Sequence, residues 1–332
     1  MMSSIMAREA LSTPAIIQHQ IRANQPVIEN LVQEIKARDI KMIMMVGRGS
    51  SDHAGVFAKY LFEVELGIPV CFAAPSVGGV YKKTLTLENT LAIIISQSGK
   101  SPDLLNQTRA IQAAGAYCVA LVNDGFSPLA AMADAVLPVR AEEELAVAAT
   151  KSYLATLSAL LHLTAVWKQD EILLNDLHKL PEALGHVCEG QGQLKSEFLR
   201  GLRHCVVLGR GFGYAIAREI ALKLKEVCSI HAEAFSSAEF IHGPVTLVEN
   251  ELAVISVDIQ DESHQVHQEQ VNNVSHRGAR MATLTHHASA LSPRLLPLLV
   301  MLRFYLDVEQ VAQTMGMNPD APPGLKKVTE TH

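Results

Sequence analysis

The chain repeats itself, and this constrains its fold more than any other feature. HCVVLGRGFG (His204–Gly213) matches MIMMVGRGSS (Met42–Ser51), so Gly47-Arg48-Gly49 maps onto Gly209-Arg210-Gly211 with a shift of 209 − 47 = 162 positions. The same shift carries Gly67-Ile68-Pro69 onto Ser229-Ile230-His231. LAIIIS (Leu91–Ser96) corresponds to LAVISV (Leu252–Val257) at a shift of 161. A repeat of this length means two supersecondary units of one kind in tandem. At roughly 100–200 residues per domain, 332 residues accommodate two.

Each copy alternates short Ile/Val-rich runs with helical stretches. In the first copy the runs are Lys41–Val46, Gly67–Ala73, Leu91–Ile95, Ala116–Val122 and Ala135–Val139. Helices are expected from about Ala54 to Leu66 and up to Ala114. Continuous apolar strands between helices predict an α/β fold: a doubly wound parallel sheet with helices on both faces, present twice. Residues 1–40 read as a helical segment, 41–170 as the first domain, 171–200 as a helical connection within the helical stretch Val147–Leu202, and 201–317 as the second domain. The Pro-rich stretch 318–332 reads as a tail or an arm.

Composition excludes several classes. Hydrophobic residues are 48% and charged residues 19%, enough for full cores. A net charge of −6 argues against a nucleic-acid binder. The five cysteines form no CxxC pair, which excludes a disulfide scaffold and suits a reducing cytosol. The first residues lack the apolar core of a signal peptide, and no uncharged run approaches a membrane span. A cytoplasmic protein without membrane or nucleic-acid partners is expected.

The strongest local signal is Ser96-Gln97-Ser98-Gly99-Lys100-Ser101-Pro102. A strand ends in small hydroxyl residues, Ser101 suits a helix N-cap and Pro102 the first helical position. Backbone N–H groups at a helix start plus several hydroxyls make an anion cradle. Ser50 and Ser51 follow the first strand in the same way, so two serine-rich turns at the carboxyl edge of one sheet are expected to converge on one phosphate, the alternative being plain turn chemistry at two helix starts. Gly99-Lys100-Ser101 is not a Walker loop, since position 94 is Ile94. Gly47-x-Gly49 and Gly209-x-Gly211 are incomplete dinucleotide fingerprints, with Asp52 and Tyr214 at the third glycine position.

The second copy has Val257-Asp258-Ile259 where the first has the serine turn. It carries instead a charged helix at Arg218–Val227. Glu219, Lys223 and Glu226 lie at i, i+4 and i+7 on one face. A solvated salt-bridge face is the ordinary meaning of such spacing. HAEAFSSAEFIHGPV follows, with His231, Glu233, Glu239 and His242. His242-Gly243-Pro244 ends a helix and fixes the imidazole. A carboxylate, a lysine and a fixed histidine suit proton transfer. His264 and His267, and His286-His287, select no metal geometry, so no metal site and no cofactor are expected.

Taken together, GRGSSDHAG, SQSGKS, VAATKS (Val147–Ser152), LGRG, ALKLKEV, HAEAF and HGP resemble the sugar isomerase (SIS) family, nearest the isomerase half of glucosamine-6-phosphate synthase. The resemblance runs from about Val27 to Thr329 and implies flavodoxin-like SIS units that bind a hexose 6-phosphate. It implies that Ser51, Ser96, Gln97, Ser98 and Ser101 hold the phosphate, and that Gly49, Ser50, Val147 and Ala148 line the sugar. Glu226 matches the glutamate that moves a proton between C1 and C2, Lys223 its neighbouring lysine. His242 matches the ring-opening histidine, which in the family comes from a neighbouring subunit, so a homodimer is implied. The tail resembles the family's closing arm through Asp320, Pro322 and Leu325. The arm is one residue short, and its lysine is Lys326 or Lys327. Lys100 and Ala149 depart from the family's Glu and Ser.

The synthase's glutaminase domain, with its nucleophilic cysteine, has no counterpart in this sequence. The resemblance therefore leads to the expectation of a deaminase: glucosamine 6-phosphate and water yield fructose 6-phosphate and ammonia. A plain phosphosugar isomerase or a deglycase is the alternative within the architecture. A sugar-phosphate sensor is the non-enzymatic one; sensors of this family carry a DNA-binding segment, for which residues 1–40 are too short and insufficiently basic.

Overall fold

A computed structural model describes residues 3–324 and Lys327. Helix α1 (Ile5–Lys36) opens the chain. Next come β1 (Met42–Val46), α2 (Ser50–Leu66), β2 (Val70–Phe72), α3 (Pro75–Gly79), β3 (Thr90–Ser96), α4 (Pro102–Ala113), β4 (Tyr117–Val122), α5 (Pro128–Met132) and β5 (Ala135–Pro138). The helices α6 (Lys151–Lys168), α7 (Glu171–Glu189) and α8 (Ser196–Leu199) follow. The second run is β6 (His204–Gly209), α9 (Phe212–Cys228), β7 (His231–Ser236), α10 (Ser237–Ile241), β8 (Ala253–Asp258), α11 (His264–His276), β9 (Arg280–Thr285) and α12 (Leu296–Thr314).

All strand pairings are parallel, in two sheets of order β2-β1-β3-β4-β5 and β7-β6-β8-β9. The second order is the first with its last strand omitted, as the sequence repeat requires. Every residue of β3 and β4 is buried, because helices cover both faces and leave no polar side. In each sheet the order reverses direction between the two central strands. The loops leaving those strands, after β1 and β3 and after β6 and β8, flank the crevice where doubly wound sheets bind ligands.

The chain divides into two compact units. The leading unit holds the five-stranded sheet, with residues 15–143 and 155–178. The trailing unit holds the four-stranded sheet, with the chain up to Pro14, Glu144–Leu154 and residues 179–324. The cluster on one face of the leading sheet is built from Met44, Val46, Ala92, Ile94, Cys118 and Ala120. Its trailing counterpart contains Val206, Leu208, Phe240, Val254 and Val274. In α12 every residue from Leu296 to Glu309 is buried. Its charged residues are internally satisfied: Arg303 pairs with Asp307 at 2.8 Å, and Asp307 accepts from the backbone of Gln193 and Leu194. A buried charge needs such partners.

Two local expectations are corrected. Helix α2 begins at Ser50, not near Ala54, so Ser50 and Ser51 occupy its first turn. The stretch Val147–Leu202 is three helices, starting at Lys151 and broken after Lys168 and Glu189. Gln169 adopts φ 62° at the first break, the left-handed conformation that stops a helix.

Candidate active-site residues

In the leading unit, Gly49 precedes α2 with φ 55° and ψ −126°, and Gly211 precedes α9 with φ 51° and ψ −122°. A side chain is strained in that region, so glycine recurs at matching places. After β3 the turn folds on itself. The Ser96 hydroxyl oxygen accepts from the Gly99 N–H at 3.0 Å, and that of Ser98 from the Lys100 N–H at 3.3 Å. Both hydroxyls keep their O–H to donate to an anion. Gly99 has φ 63°, and a methyl group there would lie 2.2 Å from Ser127 Oγ. The turn is therefore pressed onto the start of α5, where Ser127 caps the helix by accepting from Ala130 N–H.

Ser101 stands at the N-cap of α4, as expected, yet its hydroxyl makes no capping bond. Gln97 and Ser98 are half-buried, as are Ser50 and Ser51 on the neighbouring helix start. Arg48 joins the two turns through a 3.0 Å ion pair to Asp103 in the first turn of α4. Lys100 pairs with Asp124 at 3.1 Å, and the N–H of Phe126, then Lys100, holds the Asp124 carboxyl below its ordinary 3.8. Each cation beside the serine turn is thus matched by a carboxylate, so the attraction for an anion comes from the hydroxyls and the helix-start N–H groups.

In the trailing unit α9 carries the ionic face. Glu219 and Lys223 are fully buried, while the Glu226 side chain is 22% exposed. Lys223 Nζ lies 3.2 Å from Glu219 Oε1 and donates to Glu226 Oε2 at 2.6 Å. This is not the solvated face that such spacing ordinarily produces. Burial alone pulls the Lys223 ammonium down, but Glu219 and Glu226 more than offset it and hold it above its ordinary 10.5. Tyr305 Oη, from α12, donates to Glu219 Oε1 at 3.3 Å. Tyr153, from the first turn of α6, is fully buried and its hydroxyl has no hydrogen-bond partner among the described residues. Burial first, then Glu219, raises both phenols well above 10. Tyr305, Glu219, Lys223 and Glu226 form a chain of contacts, and its outlet to solvent is the Glu226 carboxylate.

Before α6, Val147 is half-buried and Ala148 buried, in a stretch without regular structure. His242 is exposed at the end of α10, its N–H bonded to Glu239 O at 3.1 Å. His231 instead begins β7 beside His204, at the edge opposite to the ligand crevice. Asp320 accepts from the first backbone N–H groups of α1, Ile5 at 2.9 Å and Met6 at 2.8 Å. Lys327 is half-buried; Lys326 lies outside the described residues. At the end of β8, Asp258 binds His264 Nδ1 at 2.7 Å. His267 bridges Ser256 and Ser237 in the interior, and burial pushes it down to about 4.

The i, i+4, i+7 spacing marks Glu219, Lys223 and Glu226 in the sequence, but nothing in it marks the tyrosines. Tyr305 hides in an apolar run, and only its packing against α9 marks it. Among the described residues no cluster suits a metal ion, and no helix is long and apolar enough to cross a membrane.

The chain matches the SIS domain over residues 36–166 and 198–294. It is 32% identical, over 97% of its own length, to a glutamine–fructose-6-phosphate aminotransferase [isomerizing] of Methanothermobacter thermautotrophicus, of which it spans 56%. Among solved structures, a Silicibacter pomeroyi protein provisionally named a phosphosugar isomerase superposes with TM-score 0.89 at 34% identity, covering 96% of this chain and 100% of that one. The C-terminal domain of glucosamine-fructose-6-phosphate aminotransferase from Francisella tularensis gives 0.86 at 25% identity, covering 97% and 99%. With both copies of the repeat matched, and the serine turn in one and the buried ionic chain in the other, this chain belongs to the SIS domain family.

Proposed function

We propose that the chain is an amino-sugar-phosphate deaminase, turning glucosamine 6-phosphate and water into fructose 6-phosphate and ammonia. The observation that carries the reading is the α9 chain. A proton-transfer base needs a fixed carboxylate that a ligand can reach. Glu226 is the outlet, and the buried Lys223 holds it at 2.6 Å. Lys223 stays protonated, so it positions Glu226 and does not itself take protons.

The serine turn, Ser96, Gln97, Ser98 and Ser101, together with Ser51, takes the phosphate. Gly49, Ser50, Val147 and Ala148 line the sugar. His242 of the partner subunit opens the ring in a homodimer, and Lys327 or Lys326 of the arm meets the open chain. Glu226 removes the C2 proton of the open aldehyde, giving an enolamine. Delivery of a proton to C1 leaves an imine at C2. Water adds there and ammonia departs, leaving the C2 ketone.

One observation supports the amino sugar. The Methanothermobacter relative is named for glutamine, an amine transfer and fructose 6-phosphate.

The test is ammonia release from glucosamine 6-phosphate, with the N-acetylated sugar as control. Glu226→Gln is expected to lower turnover about a thousandfold, within the usual range for a proton-transfer group, while sugar-phosphate affinity stays within about twofold. Ketose formation from an aldose phosphate without ammonia release identifies a plain isomerase. Unchanged turnover in the variant removes Glu226 from the reaction.

A further inference from the structure

The stretch that bears Val147 and Ala148 has neither strand nor helix to hold it. Its backbone donors go to two buried carboxylates. Glu9, on the second turn of α1, accepts from the N–H groups of Leu145 and Ala146, the latter at 3.2 Å. Glu144 accepts from Thr150 N at 2.9 Å, Ser152 N at 3.1 Å and Ser152 Oγ at 2.6 Å, which caps α6. Val147 N itself donates to Asp320 O at 3.4 Å. Glu144 and Lys151 are the charged groups that face Glu9. Glu9 and Glu144 are 7% and 3% exposed. Two carboxylates this deep are costly unless their bonds are needed.

We infer that Glu9 is a positioning residue for the sugar: by clamping two consecutive N–H groups it sets where Val147 and Ala148 lie. The inference rests on the sugar-phosphate reading above and adds to it a residue far upstream in the chain. A side-chain amide cannot replace the clamp. Gln offers one acceptor oxygen, and its NH₂ faces an N–H donor.

The experiment measures binding of fructose 6-phosphate and of inorganic phosphate to wild type and to Glu9→Gln by calorimetry. The variant is expected to bind the sugar phosphate about tenfold more weakly, the range for one lost charge-assisted bond. Affinity for inorganic phosphate is expected to stay within about twofold. A clamp that served stability alone would lower the folded fraction and the melting temperature and leave both dissociation constants unchanged. That result overturns the inference. If Glu9→Gln does not fold, Glu9→Asp receives the same pair of titrations; it keeps the charge but is one methylene short, and a threefold or larger selective loss is expected. Wild type that binds no hexose 6-phosphate overturns both this inference and the functional reading. Wild type that binds it, with variants that bind it equally well, overturns the inference alone.

Discussion

Helices α2 and α9 follow the same strand in the two copies, start at matching glycines, and are both 17 residues long. The repeat shift of 162 carries Glu219, Lys223 and Glu226 onto Phe57, Leu61 and Val64. Phe57 and Leu61 are fully buried, like Glu219 and Lys223; Val64 is exposed, and Glu226 is the partly exposed member of its trio. One helix position thus serves as apolar core in one unit and as an ionic chain in the other. The sheet edges diverge the other way. β3 ends in a turn of hydroxyls, β8 in Asp258 bound to His264. The fold tolerates either filling, so the polar one is explained by chemistry rather than by packing.

Copying α2 into α9 tests this most severely. Glu219→Phe with Lys223→Leu is expected to fold with a melting temperature no more than a few degrees from wild type, since a buried pair exchanged for apolar groups is often neutral or stabilising. Turnover is expected to fall at least a hundredfold, because Glu226 loses its anchor. Lys223→Met alone removes the ammonium 3.2 Å from the buried Glu219 carboxylate and leaves that charge without its lysine, and is expected to cost about 3–5 kcal/mol in urea unfolding. A single variant as stable as the double one would show that the pair is not coupled.

Acid is expected to weaken each unit through one buried histidine. Burial holds His162 in the leading unit and His267 in the trailing unit neutral down to about 4. Unfolded, each takes a proton near 6.5. The unfolded chain therefore binds more protons between those values, and stability rises with pH across that window. The contribution of each is fully present above about 6.5 and is lost as pH falls toward 4. Near-neutral His267 accepts from Ser256 and donates to Ser237, as the 2.5 Å contact from Ser237 to Gln270 implies. His267→Gln is expected to flatten the pH dependence of urea unfolding between pH 4 and 6.5 by about one proton, with His162 and the half-buried His286 among the groups that remain. No change in slope would mean that His267 titrates alike in both states.

The repeat made the sheets legible in the sequence, because a parallel strand buried on both faces is an unbroken apolar run, as LAIIIS is. The serine turn was legible for a similar reason: its signals are local. The depth of Glu219 and Lys223 was not, since i, i+4 charges look the same on a wet face as on a dry one. What decides is α12, whose Tyr305 packs on α9 from 86 positions away. Glu9 was invisible for the same reason, its partners lying 136 and 137 positions on.

The smallest expected effects separate two kinds of glycine within the leading unit. Gly49 and Gly99 both have positive φ, 55° and 63°. Nothing lies within 4 Å of a methyl group added at Gly49, whereas at Gly99 the methyl would collide with Ser127. Gly49→Ala is expected to cost about 1 kcal/mol, the backbone strain alone. Gly99→Ala should cost about 2–3 kcal/mol, because the turn must also lift off α5. Lifting it breaks the alignment of the Ser96 and Ser98 hydroxyls, so inorganic phosphate is expected to bind Gly99→Ala at least fivefold more weakly than wild type. If Gly49→Ala weakens phosphate as much as Gly99→Ala does, the anion is held by the start of α2 and not by the turn after β3.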